Sequence, residues 1–267
     1  MPELPEVITI TKDLEKELKN KKIYKIYSYS KYPLKPNKKI FCKATLNSKV
    51  TKVGNIAKLI YIKLSSNYFI ATHLNMTGRL LYNTKDKYIK IGLEFKTGDI
   101  LYYSTVRMFG YFEVWDKNKI TKYKKKYGPT PLNKKLSLEV FTKKIKSTNT
   151  YIKNALLNQK LISGIGNIYA NDALFLSSIN PKKKTGDLSD EEYKRLFKNI
   201  KIVLKEGLKH RGSTIDRFTD IYGKSGKHQN FFKIYGKKHQ KCPKCTTLIK
   251  FEKLGGRGTF YCPKCQK

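Results

Sequence analysis

The sequence predicts an α+β multidomain chain. An N-terminal helix and an antiparallel β domain of two packed sheets precede an α-helical region and a C-terminal β-hairpin that binds metal. Three observations lead there. Between Lys22 and Trp115, short β-branched and aromatic runs alternate with Gly and Asn turns. Beyond "YGPTPL" at 127–132 the apolar period becomes helical. Four of the five cysteines fall in the last 26 residues as two Cys-Pro-Lys-Cys pairs.

In chain order, "EVITITKDLEKELKN" places Val7, Ile10, Leu14 and Leu18 on one helical face, with charge elsewhere. That helix has to pack against the β domain that follows it. "KLIYIKL" (58–64), "NYFIATHL" (67–74), "KYIKIGLEF" (87–95) and "DILYYS" (99–104) read as strands of two packed antiparallel sheets. The paired prolines of "YGPTPL" mark a boundary, because the residue before a proline is disfavoured in helix. Helices are then expected over roughly 137–146, 151–159, 167–177 and 189–209, the last opened by "SDEE", with Ser189 as cap and Glu192 three residues on. The Gly-rich, basic stretch 221–236 is read as a long loop followed by a strand. Three zones result: a β domain over 1–130, a helical domain over 131–220, and a loop with a metal-binding finger over 221–267.

Lys and Arg number 57 against 20 Asp and Glu, a formal charge of +37. Self-repulsion of that size opposes compaction, which points to a polyanionic partner, and 12% aromatics beside it favour nucleic acid over a membrane surface. No run approaches about 18 uninterrupted apolar residues, and the first 25 residues hold no continuous apolar core. A soluble cytoplasmic, nucleoid-associated monomer is expected.

Cys242-Pro-Lys-Cys245, sixteen residues, then Cys262-Pro-Lys-Cys265 is the spacing of two tight turns that present four thiolates to zinc. Four cysteines leave no coordination position for water, so one structural zinc ion is expected. Between the knuckles, "TTLIKFEKL" and "GTFYC" flank "GGRG", a hairpin with Arg257 at its tip. Spacing alone reads Arg257 equally well as a solvated turn residue or as a contact to phosphate or base. "SGIGN" at 163–167 joins two helical runs and puts Asn167 at a helix start, where backbone amides suit a phosphate; a plain connection is an equal reading. Lys153, one helix earlier, is either a second phosphate contact or one solvated lysine of many.

"PELPEV" at 2–7, "GIGNIYA" at 164–170 and the terminal "GRGTFYCPKCQK", joined by "HLNMTG" (73–78), "VRMFG" (106–110) and "YGPTPL", together resemble formamidopyrimidine-DNA glycosylase, which removes 8-oxoguanine and ring-opened purines. The resemblance runs in order from residue 2 to 267. It implies a β-sandwich, a helix–two-turns–helix element and a zinc finger, with double-stranded DNA carrying oxidised bases or abasic sites between the domains. It also implies a bifunctional glycosylase and abasic-site lyase of base-excision repair. Removal of Met1 leaves Pro2 a secondary amine. An N-terminal amine, which ordinarily titrates at about pH 8, keeps a useful neutral fraction where a lysine does not. Pro2 then corresponds to the nucleophile and Glu3 to the general acid/base, with Glu6 orienting the chain end. Lys58, read as a strand residue, corresponds to a lysine on the phosphate beside the lesion. Met76, Arg107 and Phe109 correspond to side chains that fill the gap left by a flipped base. Without the resemblance, Pro2–Val7 reads as helix-capping, Lys58 as a polar-face lysine, and Met76 and Phe109 as core.

Departures from the pattern are visible too. Asn75 stands where a glycine is usual, Met108 where a second arginine is, and Asp172 where a glutamate is. The loop from Tyr222 to Phe231 matches the segment that covers the flipped base, without assignable contacts. Two alternatives remain: a relative of endonuclease VIII acting on oxidised pyrimidines, and a non-catalytic zinc-finger DNA binder on the same scaffold. The "PELPEV" start favours the purine branch.

Overall fold

The computed structural model describes residues 1–30 and 32–267. Two compact units emerge, Met1–Lys126 with His210–Gln229, and Tyr127–Lys209 with Asn230–Lys267.

In the first unit, helix α1 (Leu4–Leu18) begins inside the opening motif, with Pro5 in its first turn, where a missing N–H costs nothing. Val7, Ile10, Leu14 and Leu18 are fully buried, as their spacing predicts. Each such side chain contributes about 1.5–3 kcal/mol of gross transfer free energy. Strands β1 (Ile23–Ser28), β2 (Val50–Ile56), β3 (Leu59–Leu64), β4 (Phe69–His73), β5 (Arg79–Tyr82), β6 (Ile89–Phe95), β7 (Ile100–Ser104) and β8 (Tyr111–Trp115) form two antiparallel sheets, ordered β1-β6-β7-β5 and β2-β3-β4-β8. Their inward residues, Ile91, Leu93 and Tyr103 from one sheet and Ile60, Ile62, Ile70 and Phe112 from the other, share one core with the apolar face of α1.

Two helices inside or beside the β region escape the sequence reading. Helix α2 (Lys38–Thr45) spans only eight residues, capped by Asn37, and buries Phe41, Ala44 and Thr45. Helix α3 (Lys117–Lys125) buries Ile120 alone and is otherwise mostly lysine, so no apolar stripe announces it.

The second unit holds α4 (Leu138–Lys146), α5 (Ile152–Leu157), α6 (Asn167–Leu176) and α7 (Asp190–Lys209), close to the expected ranges. Ser189 and Glu192 close a reciprocal capping box ahead of α7, with bonds of 3.2 and 2.9 Å. Strands β9 (Lys250–Leu254) and β10 (Arg257–Tyr261) make the expected hairpin, turned by Gly255 and Gly256, so that Arg257 opens β10 directly after the tip. The strand expected to follow the loop within the 221–236 stretch does not form. A short 3-10 turn, His228–Phe231, stands there; the Lys227 and His228 N–H groups donate to the His210 and Gly212 carbonyls, and side-chain hydrogen bonds of Thr214 and Gln229 satisfy further backbone groups around it. Among the described residues, no helix is long and apolar enough to cross a membrane.

Candidate functional site

The N-terminal motif is a buried, hydrogen-bonded structure. Met1 is half exposed, whereas Pro2 is buried and Glu3 and Glu6 are 3% and 2% exposed. Glu6 Oε2 accepts the Glu3 backbone N–H at 2.8 Å, and Oε1 accepts the Ser213 N–H at 2.7 Å. One carboxylate thus ties the first turn of α1 to the 210–229 segment. Gly212, with φ +82°, lets that segment approach: an added Cβ would lie 2.7 Å from Glu6 Cγ. Further along α1, Arg211 bridges Asp13 and Asp220 at 2.5 and 2.7 Å, and the Tyr222 hydroxyl donates to Glu17 at 2.7 Å. Thr214 accepts the Gly226 N–H, and its own N–H donates to Gln229, which folds the glycine-rich loop back on the segment. None of Ser213, Arg211 or Asp220 stands out in the sequence, because their partners lie in α1 or across a loop.

Lys58 occupies the two-residue turn between β2 and β3 rather than a strand. The Ile56–Leu59 pair closes the hairpin around Ala57, at φ +51°, and Lys58. Only 8% of Lys58 is exposed, so it is no solvated polar-face lysine. Its charge reaches His73, the last residue of β4. Burial first and the Lys58 charge second hold the His73 imidazole down at about 4. Nothing in the sequence marks His73, since a single histidine within "HLNMTG" has no ligand or base spacing of its own.

Met76, Arg107 and Phe109 come together on the surface of this unit. Met76 and Phe109 are 48% and 57% exposed, which removes the reading of both as core. The Arg107 guanidinium lies 4.7 Å from the centroid of the Phe109 ring, and its Nη1 is 3.8 Å from Met76 Sδ. Two short loops are clasped to build this cluster. Thr77 Oγ1 accepts the Arg107 N–H at 3.1 Å, and the Asn75 amide donates to the Phe109 carbonyl. The departures Asn75 and Met108 both take left-handed backbone, at φ +47° and +51°. Asparagine tolerates that region better than most residues, which accounts for Asn75 at a position expected to be glycine.

In the second unit, Lys153 is fully buried. Its Nζ donates to the Gly258 carbonyl at 2.8 Å and to Thr259 Oγ1 at 2.7 Å. Asn167 donates to the same carbonyl at 3.0 Å. Residues from α5 and α6 therefore converge on the hairpin next to the exposed Arg257. Asp172, also in α6, accepts the N–H groups of Lys233, Ile234 and Tyr235 at 2.9–3.0 Å. Burial pushes its carboxyl pKa up against the opposing effect of those donors.

The sulfur atoms of Cys242, Cys245, Cys262 and Cys265 lie within 4.8 Å of one another. A Zn–S bond of about 2.3 Å requires tetrahedral edges of about 3.8 Å, and the pairs Cys242–Cys265 and Cys245–Cys262 are separated by 3.9 and 3.5 Å. The set fits a single structural zinc ion. Behind it, Phe175 of α6 and Ile234 and Ile249 form a small apolar cluster with the cysteines.

Comparison with known proteins is consistent along the whole chain. Residues 1–112 match the formamidopyrimidine-DNA glycosylase N-terminal domain, 127–219 its H2TH domain, and 240–267 the zinc finger found in FPG and IleRS. The formamidopyrimidine-DNA glycosylase of Mycoplasma mobile is 36% identical over 272 residues, covering 100% of this chain and 99% of the relative. That of Listeria monocytogenes is 36% identical over 274 residues, with both chains covered completely. Among solved structures, the Lactococcus lactis Fpg bound to DNA with an abasic site superposes with a TM-score of 0.89 at 31% identity, covering 99% of each chain. A MutM complex with carbocyclic 8-oxo-G DNA gives 0.90 at 30% identity, covering 100% of each.

Proposed function

The chain belongs to the formamidopyrimidine-DNA glycosylase family, and from that premise we propose that it excises oxidised purines from duplex DNA through Pro2 and cuts the strand at the resulting site. In this reading the Pro2 nitrogen, freed by loss of Met1, attacks C1′ of the damaged nucleotide. The N-glycosidic bond breaks and the base leaves with a proton. Glu3 delivers a proton to the sugar ring oxygen as the ring opens, leaving a cationic iminium between the Pro2 nitrogen and C1′. Loss of a C2′ proton into that electron sink expels the 3′ phosphate, a second elimination expels the 5′ phosphate, and water releases the enzyme.

The observation that best supports this reading is the grip of Glu6 on the Glu3 and Ser213 amides. A nucleophile on a frayed terminus would lose most of the advantage of orientation; this terminus is buried and held. Lys58, in a tight hairpin turn beside a neutral His73, suits a phosphate contact. The exposed Met76–Arg107–Phe109 cluster suits filling the space of an extruded nucleotide, a step costing a few kcal/mol. In the second unit, Lys153 and Asn167 position the Arg257 hairpin against DNA phosphates, and zinc keeps that hairpin folded.

Borohydride trapping tests the reading. On a duplex with 8-oxoguanine opposite cytosine, a covalent adduct mapping to Pro2 is expected. Trapping only on a bare abasic site would keep the lyase and move the substrate to oxidised pyrimidines. No adduct on either duplex, or a retained Met1 by mass spectrometry, would leave a DNA binder without this chemistry.

A further inference from the structure

Two short loops carry the exposed Met76–Arg107–Phe109 cluster, and both cross from one sheet to the other. Residues 74–78 run from β4 to β5, and residues 105–110 return from β7 to β8. The strands pair at both ends, His73 with Tyr111 and Arg79 with Ser104, so the two crossings lie side by side. Their bases are fixed. Gly110 brings one loop onto the other, since an added Cβ would lie 2.5 Å from the His73 carbonyl oxygen. The buried hydroxyls of Thr77 and Thr105 are 3.3 Å apart, and Thr77 Oγ1 also accepts the Arg107 N–H.

The tips are restrained differently. Met76, Arg107, Met108 and Phe109 are all exposed, so core packing does not hold them. Yet Met108, like Asn75, sits in left-handed backbone. That region is unfavourable for a methionine and persists only where neighbouring residues impose it. Both neighbours of Met108 are tied to the other loop, Arg107 through its N–H to Thr77 and Phe109 through its carbonyl to the Asn75 amide. Asn75 is oriented in turn, because its own N–H donates to His73 Nδ1 at 3.2 Å. The outcome is that Arg107 and Phe109, two residues apart, turn to one side and stack guanidinium on ring at 4.7 Å. A glycine at position 75 would take the same backbone and offer the Phe109 carbonyl no donor.

We propose that Asn75 is the positioning residue of this cluster: by holding the Phe109 carbonyl, its amide sets Arg107 and Phe109 in their inserting arrangement before DNA is bound. The inference rests on the reading of the cluster as the group that fills the space of an extruded nucleotide, and it does not involve Pro2. A wedge set in advance loses less conformational freedom on insertion. Asn75 therefore strengthens binding to a duplex with a gap to fill and leaves binding to an intact duplex as it is.

Anisotropy titration of the full-length protein reads this directly. Two duplexes are compared, identical except that one carries a tetrahydrofuran abasic analogue opposite cytosine and the other is lesion-free. The preference is the ratio of the two dissociation constants. Asn75→Gly, which keeps the backbone and removes the donor, should lower the preference about fivefold, the size of one net hydrogen bond, with lesion-free affinity unchanged. Asn75→Asp, of the same shape but with an acceptor facing the carbonyl, should lower it at least as far. An unchanged preference in either variant overturns the proposal. So does equal weakening on both duplexes, which would make Asn75 a general fold or DNA-contact residue. A parent protein without preference for the tetrahydrofuran duplex would refute the gap-filling reading and this inference together. One that has the preference but forms no adduct at Pro2 would refute the glycosylase chemistry alone, and the loss in the Asn75 variants would still support the positioning role.

Discussion

Glu6 and Ser213, 207 positions apart in the chain, are joined by a 2.7 Å hydrogen bond in which a buried carboxylate accepts a backbone N–H. The other oxygen of Glu6 holds the Glu3 N–H. This single side chain decides where the first turn of the protein sits, and every role assigned to Pro2 and Glu3 depends on it.

Glu6→Gln keeps the shape but turns one acceptor oxygen into an NH₂ facing a backbone donor. We expect a stability loss of about 1–3 kcal/mol, the cost of an unsatisfied buried group, and weaker trapping at abasic sites. Urea denaturation with borohydride trapping on the same preparation checks both. Unchanged values would show that the N-terminal turn holds itself.

Gly212→Ala forces a Cβ into Glu6 and a side chain into left-handed backbone. A loss of about 1–3 kcal/mol is expected. Gly186→Ala, at a position with ordinary φ and nothing within 4 Å, is the matched control and should be neutral or slightly stabilising. Equal midpoints for the two variants in thermal unfolding would remove the steric account.

His73 predicts a pH dependence. Its folded pKa of about 4 lies below the unfolded value of 6.5, so the unfolded chain binds the extra proton between those limits. The stability that His73 contributes is therefore complete above about pH 6.5 and lost as pH falls towards 4, by at most about 3 kcal/mol. His73→Gln should flatten this part of the urea-midpoint profile. Lys58→Met should raise the His73 pKa, read by NMR titration of the imidazole, with burial still keeping it below 6.5.

Cys245→Ser should reduce bound zinc from about one ion per chain to a small fraction, measured by metal release. Specific DNA binding should fall with it, because Arg257, the Gly258 carbonyl and their partners Lys153 and Asn167 lose their common frame. The unfolding transition reported by Trp115, which lies in the other unit, should stay near that of the parent chain. A zinc-free variant with wild-type binding would refute the structural role of the metal.

Much of this was legible from residue order alone. The periodicity of α1, the alternation of β3, β4, β6 and β7, the capping box at Ser189 and the cysteine spacing are local signals. Near-neighbour sterics, capping and ligand geometry impose them, and the structure keeps them nearly unshifted. The ordered motifs from "PELPEV" to the last cysteine sufficed for the family. Tertiary structure decided what depends on residues far apart. It placed Lys58 in a turn and beside His73, set Met76 and Phe109 on the surface, and buried Lys153 against the hairpin. It also tied 210–229 to α1 through Glu6, Asp13 and Glu17. A lone lysine or glutamate has the same local signature whether solvated or buried, because its environment is made by segments distant in the chain.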